Sequence, residues 1–127
     1  MTLTQDQALA VIGLSAVSSD GNVENAELTA LLEALARTGV VGDDGACVGL
    51  VQEVVRMADA VGLGPLTSTA LATLEPARRE LGLRVTFDVL LGDGAVPDEE
   101  IEYVRELQQA LGVSDERYDE LLAATGE

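Results

Sequence analysis

Apolar positions along the chain fall into two kinds of helical segment and into no sustained alternation of the kind a half-buried strand requires. From about Gln5 to Ser19, Ala8, Leu9, Val11, Ile12, Leu14, Ala16 and Val17 leave almost no polar face, and Leu81, Leu83, Val85, Phe87, Val89, Leu90 and Leu91 do the same between Ala77 and Leu91. A helix that is apolar all round has to be buried, so these two segments are expected at the centre. The remaining periodic segments are amphipathic. One starts at Glu24 or Asn25 with Leu28, Leu31, Leu32 and Leu35 on one side; another runs to about Ala60 with Leu50, Val51, Val54, Val55, Ala58 and Val61 facing inward. A sixth, opened by Pro97 and Asp98, has Ile101, Val104, Leu107 and Leu111 as its inner stripe, and a short last one buries Tyr118, Leu121 and Leu122 before a frayed Thr125-Gly126-Glu127.

Punctuation supports the same division. Thr4 can cap the first helix, Asp43 or Asp44 the third and Ser114 the last. Gly62-Leu63-Gly64-Pro65 reads as a break, with Pro65 suited to the first turn of a short fourth helix reaching about Leu74, and Pro76 can open the fifth. Gly82 sits inside that fifth helix, where glycine weakens helix propensity.

Two stretches have the same form, D-G-x-V-x-x-x-E: Asp20-Gly21-Asn22-Val23-Glu24-Asn25-Ala26-Glu27 and Asp93-Gly94-Ala95-Val96-Pro97-Asp98-Glu99-Glu100. Each follows an all-apolar segment and opens an amphipathic one. Asp20, Gly21, Val23, Glu27, Leu28, Leu31, Gly39 and Val40 precede residues of the same class at Asp93, Gly94, Val96, Glu100, Ile101, Val104, Gly112 and Val113 by 73 positions. The predicted fold is therefore all-α: duplicated helical hairpins, about seven helices around two central buried helices, in a single domain spanning residues 1–127.

Composition narrows the function. Of 127 residues 47% are apolar, which is ample for one core, while the aromatic set is only Phe87, Tyr103 and Tyr118. With 23 acidic residues against 7 basic ones, all arginine, the formal net charge is -16, a field that repels nucleic-acid phosphates and anionic lipid heads. Neither nucleic-acid binding nor membrane insertion is expected. The start of the chain has no basic secretory leader, and the apolar run from Ala8 to Val17 is about half of the ~20 residues a bilayer span needs, so a cytoplasmic protein is expected. Cys47 has no second cysteine and no histidine to partner it, and is read as a small buried hydrophobe.

The spacing of the repeated motif is that of the second half of an EF-hand loop. The first half is missing: the first and third ligand positions would fall on Ala16 and Ser18 in one copy and on Val89 and Leu91 in the other. Asp20, Glu27, Asp93 and Glu100 are the candidate ligands of a divalent cation, Ca2+ or Mg2+, with Asn22, Glu24, Asp98 and Glu99 as helpers. The structural alternative is that the aspartates hold turns while the glutamates sit in first helical turns, favoured there by the macrodipole.

Ala16-Val17-Ser18-Ser19-Asp20-Gly21 with Glu27, then Leu90-Leu91-Gly92-Asp93-Gly94 with Glu100, then Leu107-Gln108-Gln109-Ala110-Leu111-Gly112-Val113-Ser114 in the form L-x-x-x-L-G-[VL]-S, together resemble the TerB-like family over nearly the whole chain. That resemblance implies about seven helices in a duplicated arrangement, association with tellurite-resistance and chemical-stress systems, divalent-metal binding by acidic residues near the helix turns, and a sensor or scaffold role with a protein partner and no enzymatic reaction. Pro97 stands where the first copy has Glu24, and Ala95 opposite Asn22, which weighs against two equal metal sites. The competing readings are a metal-independent interaction scaffold and a carboxylate-dependent hydrolase using Asp88 beside Asp93. Arg84, four residues earlier on the same helix face, offers Asp88 a structural partner instead.

Overall fold

The computed structural model describes residues 2–17, 25–90 and 98–125, with the side chains of 25–27, 44, 98–100, 124 and 125 outside that description. Seven helices make up the described residues: α1 (Gln5–Val17), α2 (Asn25–Thr38), α3 (Asp44–Val61), α4 (Leu63–Thr73), α5 (Pro76–Leu90), α6 (Asp98–Leu111) and α7 (Asp115–Thr125).

Helix α1 begins in a reciprocal cap. The Gln7 amide donates to Thr4 Oγ1 at 3.1 Å and the Thr4 amide donates to Gln7 Oε1 at 2.9 Å, which satisfies two donors that a helix start would otherwise leave unpaired. From there Ala8 to Gly13 is completely enclosed, because α2, α3, α4 and α5 all pack on α1. Near the start of both helices Asp6 pairs with Arg78 at 3.0 Å, and farther along Ile12 lies against Gly82 and Gly13 against Val85. α1 and α5 therefore run in the same direction and end at the same end of the pair.

The expectation of a buried central pair holds, with one difference. From Ala8 to Val17 α1 is buried at every position but the half-buried Ser15, whereas α5 buries Gly82, Leu83, Val85, Thr86 and Phe87, leaves Leu81 and Asp88 half-buried and exposes Arg84. Gly82 does not break α5. A Cβ there would stand at ordinary contact distance, 3.7 Å, from Ile12 Cγ2 and Leu74 Cδ1.

Helices α2 and α6 begin and end at positions related by the same 73-residue offset, Asn25 with Asp98 and Thr38 with Leu111. Each is ended by a left-handed glycine, Gly39 at φ 71° and Gly112 at φ 72°. The duplication goes further than a hairpin. Asp43 caps α3 by accepting from the Ala46 amide at 2.8 Å, and Cys47, four residues past the cap, is buried. Ser114 caps α7 by accepting from the Arg117 amide at 3.2 Å, and Tyr118, four past the cap, is buried. As α3 packs on α1, so α7 packs on α5; each unit is thus three helices, joined by α4.

Three local expectations are corrected. The break expected over Gly62 to Pro65 shrinks to Gly62 alone, whose φ of 88° turns the chain while its amide still donates to Ala58 O at 2.8 Å. Gly64 and Pro65 lie in the first turn of α4, where a missing N–H costs nothing. Val61 and Ile101, expected inside, are 46% and 41% exposed, because the core stops one turn short of the end of α3 and of the start of α6. Thr125 closes α7, and Gly126 and Glu127 lie outside the described residues.

Candidate functional site

Asp20 and Asp93, with Asn22 and Glu24, lie outside the described residues; Glu27 and Glu100 are each the third residue of a helix, α2 and α6, with their side chains outside the description, as are those of Asp98 and Glu99. What is described is the frame. α1 and α5 lead into the two acidic segments from the same end of the central pair, and α2 and α6 receive them at matching positions. Helix starts carry unpaired amides and the positive end of the macrodipole, so both glutamates stand where a carboxylate is favoured.

Beside this frame a polar contact crosses between the copies. Ser15, in the last turn of α1, and Tyr103, in α6, hold their hydroxyls 2.7 Å apart, half-buried. Burial pushes the Tyr103 phenol above its ordinary value and the Ser15 hydrogen bond partly opposes that shift. At the 73-residue offset, Ser15 corresponds to Asp88 and Tyr103 to Ala30, so the second copy has a carboxylate and a methyl where the first pair has two hydroxyls.

Asp88 is half-buried on α5. Burial pushes its carboxyl above the ordinary range, and Arg37 and Arg84 pull it part of the way back. Neither arginine comes within ion-pairing distance of it among the described residues, so the Arg84 pairing expected from helix spacing is a longer-range attraction. The Ser15 and Tyr103 pair was not anticipated from the sequence. Extending the repeat alignment back from Asp93 to Asp88 was the signal that would have singled out position 15.

The other buried polar cluster is structural. Gln108 is buried, donating to Val113 O at 3.0 Å and to Asp115 Oδ1 at 2.8 Å and accepting from Arg105 at 3.1 Å. The Arg105 guanidinium lies 3.8 Å over the Tyr118 ring, which meets Phe87 edge-on at 5.1 Å. These contacts fasten α7 to α5 and α6, and Arg117 adds a two-point pairing with Glu80 at 2.8 and 3.0 Å. Among the described residues no three histidine, cysteine or acidic side chains converge to hold a metal ion, and no helix is long and apolar enough to cross a membrane.

A duplicated all-α domain, with a parallel central pair leading into two D-G-x-V-x-x-x-E segments, is the class that fold and sequence define together. Residues 6–123 match the family model described as tellurite resistance protein TerB, and the chain belongs to that family. No curated protein and no solved structure matches it.

Proposed function

We propose that the chain is a non-enzymatic stress-response module that takes up a hard divalent cation, Ca2+ or Mg2+, through Asp20, Glu27, Asp93 and Glu100 and works through a protein partner. The observation that supports this most directly is the matched frame: α2 and α6 begin and end at equivalent residues, and α1 and α5 end at the same end of the pair. The donor set is chemically apt. Carboxylates with amide and carbonyl oxygens suit calcium or magnesium, while a soft-metal site would need the histidine and paired cysteines that the chain lacks.

Each half-loop offers too few oxygens for the six to eight a calcium ion takes, so water completes a site at one turn or the four carboxylates share one ion. The first segment is the richer, since Ser18, Asn22 and Glu24 supply oxygens where the second has Leu91, Ala95 and Pro97. Calorimetric titration with calcium, magnesium, manganese and zinc tests the reading. Saturable calcium or magnesium binding that Asp20→Ala or Glu27→Ala weakens more than Asp93→Ala or Glu100→Ala is the expected result. Heats no larger than those of sodium chloride at equal ionic strength would leave the metal-independent scaffold, for which exposed Val48 and Val61 on α3 offer apolar contact area.

A further inference from the structure

We propose that the outer face of α4 is the docking surface for the protein partner, and that it takes an amphipathic helix with an uncharged apolar face and basic residues along its margins. This rests on the partner-binding part of the reading above and needs no cation.

Residues 60–74 are the longest stretch of the chain without a charged side chain. The next longest, 7–19, lies largely in α1 and is explained by burial. Burial does not explain α4. In composition it is as apolar as α1 and it carries no charge, yet of its residues only Leu66 and Ala70 are buried. Gly64, Pro65, Ser68 and Ala72 recur at helical spacing on the opposite side and are exposed, with Leu71 half-buried beside them. A helix with no charged face is one that is covered all round, and α1 and α3 cover only the inner side of this one.

The hydroxyls at the flanks of that face already have acceptors. Thr67 donates to Leu63 O at 2.8 Å and Thr69 donates to Pro65 O at 3.1 Å, each reaching back one turn, so a partner that excludes water there strands neither hydroxyl proton. Charge then selects the occupant. Asp59 and Glu75 bracket the uncharged run, both exposed and neither in an ion pair among the described residues. A second copy would bring acidic margins together and set one net charge of -16 against another, and a phosphate-bearing or anionic-lipid surface meets the same repulsion. An apolar helix edged with lysine or arginine meets neutral surface at the centre and opposite charge at the rim.

Two dye-labelled, amidated peptides of about 18 residues, roughly five helical turns, test this. One is built of leucine, alanine and lysine with a continuous leucine face; the other has the same residues permuted so that no face forms. Anisotropy is recorded with wild type, Ala72→Lys and Ala110→Lys, the last making the same charge change on the exposed side of α6. Circular dichroism checks that each protein is folded, and sedimentation gives its oligomeric state. The expected result is a monomer that binds the amphipathic peptide about tenfold or more tighter than the permuted one, with Ala72→Lys losing about tenfold and Ala110→Lys about twofold or less. Equal losses in the two lysine variants would overturn the inference and leave a partner on another face. Equal binding of the two peptides would also overturn it, as attraction by charge alone. Binding of neither would remove the inference and count against the partner reading too. A wild-type dimer that Ala72→Lys dissociates would assign the face to a second copy and overturn the basic partner.

Discussion

A methyl group at position 13 would run into Leu31 Cδ1 and stand 3.0 Å from Val85 Cγ1, so glycine is what lets α1, α2 and α5 meet there as they do. Leu31 and Val85 are both fully buried, so any shift they make to admit the methyl group has to be taken up inside the core. Overpacking of this kind costs about 1–3 kcal/mol, against a gain of roughly 1 kcal/mol from replacing a mid-helix glycine. Gly13→Ala should lower stability by up to about 2 kcal/mol in urea denaturation. Adding Leu31→Ala should then cost less than it does in the wild type, since the two changes share one space. Asp88 gives a different residue-scale expectation. Its folded-state pKa lies above the ordinary 3.8, so ionisation at neutral pH opposes folding, and the penalty fades as pH falls through the raised value. Asp88→Asn should melt higher than wild type at neutral pH, with the gap closing on acidification towards that ordinary value. Glu80 has the opposite sign: Arg117 lowers its pKa, so its small contribution is present above the ordinary carboxyl range and lost below it.

Helices α1 and α5 meet the test of a central pair at Leu14 and Phe87, which are 2% and 1% exposed and occupy equivalent positions in the two copies. Leu14→Asp or Phe87→Asp would bury an unpaired carboxylate at several kcal/mol, comparable with the ~5–15 kcal/mol that holds a domain together. Each variant should lose its cooperative far-ultraviolet melting transition. At this scale the sequence was most legible where periodicity and burial coincide, as in α1, and where a cap or left-handed glycine marks an end, as at Thr4, Asp43, Gly39 and Gly112. It was least legible at margins. Periodicity says which face of a helix turns inward but not how far the core reaches along it, hence the exposure of Val61 and Ile101. Close approach left no periodic trace either, since Gly13 looks like any small residue in an apolar run. For the candidate site, the sequence supplied the motif and the structure supplied the parallel frame and the Ser15 tie to Tyr103, a pairing across 88 residues that no local pattern encodes.

For the molecule as a whole, 23 acidic side chains against 7 arginines make self-repulsion a global term. Added sodium chloride should raise the melting temperature by screening alone. Calcium or magnesium at equal ionic strength should raise it further, and equality of the two would count against a specific site. The parallel sense of α1 and α5 bears on how such a chain is made. Asp6 waits for Arg78, 72 residues downstream, and Gly13 waits equally long for Val85. At about 5–20 residues per second on the ribosome, that is an interval of roughly 4–14 s. During it the most uniformly apolar helix is already outside the tunnel without the partner that closes its central face. The parallel pairing of α1 with α5 thus leaves the nascent chain dependent on α2, α3 and α4, or on a chaperone, to shield α1 until α5 is complete.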